Sequence, residues 1–188
     1  MAFKKVSEAV IKRLPRYYRH LVMLESQGVE RISSEKLAQQ MRLNASQVRQ
    51  DFNCFGGFGQ QGYGYNVRTL LSEIKSILAL DREHSVIIVG AGNIGHALTN
   101  FEGFSSAGFK VLALFDVNPE LVGQEINGKP VYASEEMEAF IRTHGVDIGV
   151  IAARRSAAQE IAERMVAAGI KGIWNFVPVD LVAAVPIE

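Results

Sequence analysis

Three glycines at G-x-G-x-x-G spacing, Gly90, Gly92 and Gly95, follow directly on the apolar run Val86–Val89. Between a strand and a helix, that spacing suits a dinucleotide. The first glycine makes the tight turn, the second lets backbone approach a pyrophosphate, and the third lets the helix pack on the strand. The anion would meet the unpaired N–H groups and the positive dipole end of the helix. Asp116 follows Gly95 by 21 positions, at the end of the apolar run KVLALF. An acid at the end of the second strand accepts from the ribose 2′-OH and repels a 2′-phosphate, which favours NAD(H) over NADP(H). Gly90, Ala91, Gly92, Asn93, Ile94, Gly95 and Asp116 are therefore candidate cofactor contacts. Ala153 and Asn175, at the ends of two later apolar runs, are expected on the same crevice.

Hydride transfer to a substrate would want an acid or base beside the nicotinamide. His96 falls on the fingerprint helix facing phosphate, and His20 and His84 lie outside the nucleotide segment, so no catalytic residue is expected. With His144 they share no ligand spacing, and no metal site is expected either. Arg154 and Arg155 could meet phosphate or carboxylate, or stand solvated on a loop. Trp174 and Phe176, on an apolar strand, read as core. Cys54 reads as a buried small hydrophobe, because no basic residue immediately adjoins it.

A second constellation precedes the glycines. In SSEKLAQQMRLNASQVRQDF, Ser33 or Ser34 caps a helix with Leu37, Ala38 and Met41 inward, and Asn44 caps another through Val48 and Phe52. Two short helices across a tight turn make a helix-turn-helix, whose second helix enters the major groove by its N-terminal residues. Ala45, Ser46, Gln47, Arg49 and Gln50 are then the candidate readers: Arg49 can grip a guanine edge bidentately, and Gln47 or Gln50 an adenine. The stretch Phe55–Tyr65, FGGFGQQGYGY, fits a hairpin turning near Gln60–Gly62. After a recognition helix it resembles a wing whose tip reaches phosphates or the minor groove. Ser33 and Gln60 join Ser46, Gln47, Arg49 and Gln50 as candidate DNA contacts.

The positioning elements follow from the rest of the chain. Ser7 caps a first helical segment, and Pro15 opens a longer one ending at Gly28, with Leu14, Tyr17, Tyr18, Leu21, Val22 and Leu24 on its apolar face. Residues 66–80 carry one apolar helical face and connect to a boundary near Asp81–His84. Beyond it, strands and helices alternate: a strand to Val89, a helix Ile94–Phe101, a strand Lys110–Phe115, an Asn127–Gly128 turn, and a helix capped by Ser134. A strand Asp147–Ala152, a helix Ala157–Ala168 and a strand Ile170–Phe176 complete the series. The fold class is α/β: a winged helix-turn-helix domain over 1–80, then a Rossmann-like parallel-sheet NAD(H)-binding domain over 81–188.

Charge divides the same way. Residues 1–80 hold 12 Lys+Arg and 6 Asp+Glu; residues 81–188 hold 8 and 14, so a net charge of zero conceals +6 and −6. A basic front half suits a polyanion, and an acidic back half repels one. No run approaches 18 apolar residues, which excludes a membrane span, and Met1–Lys5 carries no signal stretch. A single cysteine permits no internal disulfide and agrees with a reducing, cytoplasmic setting.

The segments IKRLPRYYRHL, ISSEKLA, VRQDFNCFGGFGQQGYGYNV, GAGNIGHAL, FDVNPELVG and AGIKGIWNFVP together resemble the Rex family of redox-sensing transcriptional repressors. That resemblance implies a homodimer whose winged helices bind a palindromic operator and whose Rossmann domains bind NADH or NAD⁺, with NADH releasing the DNA. By position it makes Arg49 and Gln50 recognition-helix residues, gives Gly90, Gly92 and Gly95 the pyrophosphate and Asp116 the ribose, and sets Asn175 near the nicotinamide. Family members usually continue past the position of Glu188 into a helix that swaps onto the partner, and this chain stops short of it. Phe101 stands where relatives often carry a tyrosine near the nicotinamide. Two other readings remain open: an NAD-dependent oxidoreductase with an accessory N-terminal domain, and a Rossmann subunit that binds coenzyme A.

Overall fold

A computed structural model describes residues 7–55, 59–60 and 63–182 of the chain, which forms two compact units, Met1–Asp81 and Arg82–Glu188. In the first unit, α1 (Glu8–Ser26) buries Val10, Leu14, Tyr17, Leu21 and Leu24, a stripe spaced by three and four residues. It is one continuous helix with Pro15 inside, where two segments were expected. Proline removes one bond to the carbonyl four residues earlier. Here that residue is Ile11, 51% exposed on the solvent side, so water can satisfy the freed carbonyl. Ser7 precedes the helix, but its hydroxyl makes no capping bond.

The short helices start where the sequence places side-chain caps. Ser33 Oγ accepts from the Lys36 N–H at 3.1 Å to open α2 (Ser34–Met41), and Asn44 Oδ1 accepts from the Gln47 N–H at 2.8 Å to open α3 (Ala45–Asn53). Strands β1 (Arg31–Ile32), β2 (Gly59–Gln60) and β3 (Gly64–Asn66) form an antiparallel sheet in the order β1-β3-β2. Of the wing expected over Phe55–Tyr65, β2 and β3 pair as antiparallel strands, while residues 56–58 and 61–62, among them Gln61 and Gly62 of the expected turn, lie outside the described residues. Asn66 Oδ1 accepts from the Thr69 N–H at 2.9 Å and starts α4 (Val67–Ile77). Phe52 packs tilted against Tyr17 and edge-to-face with Tyr65, at 4.8 and 5.1 Å between ring centroids. Each such fully buried side chain contributes about 1.5–3 kcal/mol of transfer free energy.

The second unit is a six-stranded sheet in the order β6-β7-β5-β4-β8-β9. Strands β4 (His84–Val89), β5 (Phe109–Asp116), β7 (Lys129–Ala133), β8 (Ile148–Ile151) and β9 (Gly172–Asn175) run parallel. The edge strand β6 (Glu125–Ile126) pairs antiparallel with β7 across Asn127 and Gly128, whose φ values of 52° and 72° suit the hairpin turn that Asn-Gly favours. Val86, Ile87, Ile88 and Val89 of central β4 are all buried, as expected of a parallel strand covered on both faces.

Four local expectations are corrected. The helix after the fingerprint breaks at Asn100 into α5 (Asn93–Thr99) and α6 (Glu102–Ser106). Ser134 does not cap the following helix: residues Ser134–Glu136 form a 3-10 turn before α7 (Met137–His144), and the Glu136 carboxylate accepts from the Ala133 N–H at 3.2 Å. Buried Ser134 instead offers its carbonyl to Arg164 at 2.7 Å. Phe176 is 46% exposed, because β9 ends at Asn175; Trp174 does pack, against Phe104 and Phe109. Cys54 is half-buried, with its thiol on the Gln50 carbonyl at 3.3 Å, since it ends α3 instead of lying on its inner face. Helix α8 (Ala158–Ala168) completes the unit.

Candidate functional site

Strand order in the second unit reverses at β4, which has β5 on one side and β8 on the other. Ligands of such sheets bind beyond the strand C-termini at that switch point. Gly90 lies there with φ of +108°, and an added Cβ would also overlap the Ala152 carbonyl of the neighbouring strand end. A Cβ at Gly95 would overlap the Gly90 carbonyl, so only glycine lets α5 start this close to the strand. Gly92 differs: nothing lies within 4 Å of its Cβ position. Two glycines are thus filled by the fold, and the middle one opens on free space bordered by exposed Asn93 and Ile94. This is the arrangement a pyrophosphate against backbone requires.

Asp116 ends β5 beside this loop. Its Oδ2 accepts from the Ala91 N–H at 2.6 Å and its Oδ1 from the Asn118 N–H at 2.8 Å, so the carboxylate ties the glycine loop to the strand end. A carboxylate has about four lone-pair sites, which leaves acceptor capacity for a ribose hydroxyl. Ala153 lies just beyond β8, half-buried. Asn175 is exposed at the end of β9; its Oδ1 accepts from the Val177 N–H at 2.9 Å and its Nδ2 donates to the Val179 carbonyl at 2.8 Å, which shapes the strand-end turn. All the sequence-derived cofactor candidates therefore sit at the C-terminal ends of β4, β5, β8 and β9 or on the first turn of α5. Arg154 and Arg155 are exposed after β8, and Phe101 is 58% exposed before α6.

In the first unit, α3 buries Val48, Asp51 and Phe52 and leaves Ser46, Arg49 and Gln50 exposed, with Gln47 half-buried. Ser46 Oγ donates to Asn44 Oδ1 at 3.1 Å, and Ser33 is engaged as the α2 cap. Gln60 is placed by backbone at the end of β2. Arg49 does not extend freely. Its Nη1 donates to Ser34 Oγ at 3.0 Å and to Glu35 Oε1 at 3.1 Å. A hydrogen bond from its own backbone and from the Ser33 hydroxyl, with Arg49 nearby, holds the Glu35 carboxyl below its ordinary range.

Sequence reasoning missed what orients this helix. Asp51, 2% exposed, accepts two 2.7 Å bonds from Arg13 Nε and Nη2 and one of 2.8 Å from the Tyr17 hydroxyl. Burial, then Asp51, pushes the Tyr17 phenol above its usual range, and the Asp51 carboxylate raises the Arg13 guanidinium. The signal was faint: an acid at an inward helical position, three residues after Val48 and next to Phe52. The bonds from Arg49 to Glu35 and Ser34 carry no local signal, because Arg49 is 14 and 15 positions away; Ser34 reads in sequence only as a possible helix cap.

Comparisons with known proteins address both units. A family model described as "CoA binding domain" matches residues 81–179, and one described as "Putative DNA-binding protein N-terminus" matches residues 5–53. The redox-sensing transcriptional repressor Rex of Clostridium beijerinckii is 50% identical over 179 residues, 95% of this chain and 85% of that protein. The Rex repressor of Clostridioides difficile is 51% identical over 178 residues, with the same coverage. Among solved structures, RSP in complex with β-NAD⁺ and operator DNA superposes with a TM-score of 0.92 at 49% identity, covering 96% of this chain and 83% of that one. RSP in complex with β-NADH gives 0.87 at 46% identity, covering 96% and 84%.

Proposed function

The chain belongs to the Rex family of redox-sensing transcriptional repressors, and from that premise we propose that it binds operator DNA through α3 and the wing, and NAD(H) through the loop after β4. Its relatives are named repressors, and RSP has been solved with β-NAD⁺ and operator DNA and with β-NADH. The observation that carries the reading is that a capped, winged helix-turn-helix and a glycine loop with one open position stand in the same chain. In this reading Gly90, Ala91, Gly92, Asn93, Ile94 and Gly95 hold the pyrophosphate, Asp116 the adenosine ribose, and Ala153 and Asn175 the nicotinamide half. Ser33, Ser46, Gln47, Arg49, Gln50 and Gln60 meet DNA. A homodimer reads a palindromic site with its recognition helices about one duplex turn, roughly 34–36 Å, apart. The protein works where the chromosome is, in the cytoplasm; no helix among the described residues is long and apolar enough to cross a membrane.

The bound nucleotide supplies a charge difference, since NAD⁺ carries a positive ring that NADH lacks. A partly apolar surround at the strand ends favours the neutral ring by desolvation. For that preference to move DNA, one arrangement of the dimer must bind NADH more tightly than the other, and only the differential affinity shifts the balance. The chain passes from α4 to β4 through residues 78–83, which are the covalent path for that coupling.

Because the family model for the second unit is described by coenzyme A, the direct test is calorimetric titration of the protein with NADH, NAD⁺, NADPH and acetyl-CoA. The proposal expects NADH to bind most tightly and NADPH weakly, through repulsion of its 2′-phosphate by Asp116. Tighter binding of acetyl-CoA than of NADH would overturn it.

A further inference from the structure

Arg49 is the exposed cation at the middle of α3, and its position is set from another helix. One nitrogen, Nη1, is spent on Ser34 Oγ at 3.0 Å and Glu35 Oε1 at 3.1 Å, both on the first turn of α2. Ser34 is 9% exposed and fixed by the packing of that helix, whereas the Glu35 side chain is 70% exposed. Nε and Nη2 of Arg49 have no partner among the described residues. A guanidinium is planar, so anchoring one nitrogen at two points fixes the plane and presents the remaining edge in a single orientation. That edge is the fork that takes the O6 and N7 of a guanine.

We infer that Glu35 is a positioning residue for sequence discrimination: it holds Arg49 so that its free edge meets one base pair of the operator. The inference rests on α3 being the recognition helix. The charge argument supports it from a second side. A carboxylate near duplex phosphates weakens binding to every sequence alike, because the phosphate term is electrostatic and sequence-independent. Glu35 therefore lowers affinity for DNA at large while narrowing the choice among sequences, a combination expected of a specificity device. Its exposure separates it from the core: substitution leaves the packing of Leu37, Val48 and Phe52 intact.

The test uses the full chain with Arg49→Ala, Glu35→Ala, Glu35→Gln and the Arg49→Ala/Glu35→Ala pair. Each is titrated with a duplex carrying the operator bound by RSP, with single-base-pair variants of that duplex, and with a random duplex at one salt concentration. Glu35→Ala is expected to bind random duplex more tightly and to lose discrimination at the same base pair as Arg49→Ala, by about fivefold to a hundredfold. Glu35→Gln, which keeps an oxygen acceptor, restores part of that discrimination. The double variant loses no more discrimination than Arg49→Ala alone, because the two residues act through one contact. An unchanged operator-to-random ratio in Glu35→Ala, with both affinities raised equally, overturns the inference and makes Glu35 only a repulsive charge. If Arg49→Ala weakens operator and random duplex equally, Arg49 is a phosphate contact, and it is the base-reading assignment that fails. Only small shifts of the thermal midpoint are expected in all four variants, because Glu35 is exposed on the first turn of α2, and loss of the folding transition in Glu35→Ala alone would make its role structural.

Discussion

The Ala91 N–H donates to Asp116 Oδ2 across 2.6 Å, so the acid at the end of β5 also pins the glycine loop that follows β4. In the proposed site one side chain thus joins the two ends of the adenosine diphosphate half. Asp116→Ala is expected to weaken NADH by about 1.5–3 kcal/mol, the range for a hydrogen bond to a charged group, and to narrow the gap to NADPH. Calorimetric titration of both nucleotides checks it. An unchanged NADH-to-NADPH ratio would remove Asp116 from the ribose site.

The three fingerprint glycines should separate under alanine substitution. Gly95→Ala drives a methyl group into the Gly90 carbonyl, backbone against backbone, and is expected to lower the thermal midpoint by several degrees. Gly92→Ala meets nothing and should leave the stability within about 0.5 kcal/mol of wild type, while NADH affinity falls through obstruction of the phosphate. Paired melting curves and titrations distinguish the two. Equal destabilisation by both would contradict the roles assigned.

Asp51 is buried against Arg13 and Tyr17, and breaking such a pair from one side leaves an uncompensated charge. Asp51→Ala is expected to destabilise the first unit by about 3–5 kcal/mol and to lower operator affinity through loss of the α3 orientation. Chemical denaturation reads the stability. The triple variant Arg13→Met, Tyr17→Phe and Asp51→Leu should recover much of it, since neither a charge nor the Tyr17 hydroxyl is then left buried without a partner.

Acid should weaken the second unit in a defined direction. Arg164, against the opposing effect of burial, holds the Glu138 carboxyl below its usual range. Burial pushes Asp147 up, but Lys171 and the Ser85 N–H and hydroxyl hold it below its usual range as well. Both folded pKa values are depressed, so the stability they give is present above the unfolded values, about 4.3 for Glu and 3.9 for Asp, and is lost as pH falls through the folded values. The thermal midpoint should be flat from pH 7 to about 5 and fall below about 4. Glu138→Gln should lower the plateau and flatten the fall. A Glu138→Gln profile parallel to wild type would place the titration elsewhere.

Much of this was legible in the sequence because it is carried by local signals. Ser33 and Asn44 cap the helices they precede, Asn127–Gly128 turns its hairpin, and Gly90 and Gly95 make the turn and the close helix packing their spacing implies. What was not legible depends on partners far along the chain. Arg13 reaches Asp51 over 38 positions, Arg49 reaches Ser34 over 15, and Arg164 takes the Ser134 carbonyl over 30. Pro15 misled because whether it ends a helix depends on which side the freed carbonyl faces, a matter of tertiary placement. Phe176 misled because one residue beyond a strand end is enough to turn an apolar side chain to solvent.

As a member of the Rex family, this chain is expected to exchange DNA for reduced nucleotide. The most direct measurement is the affinity of the full chain for the RSP operator duplex, by gel shift, as NADH is raised against fixed NAD⁺. Operator affinity is expected to fall as the NADH/NAD⁺ ratio climbs, and a random duplex to show no such response. Equal operator affinity in saturating NADH and in saturating NAD⁺ would contradict it.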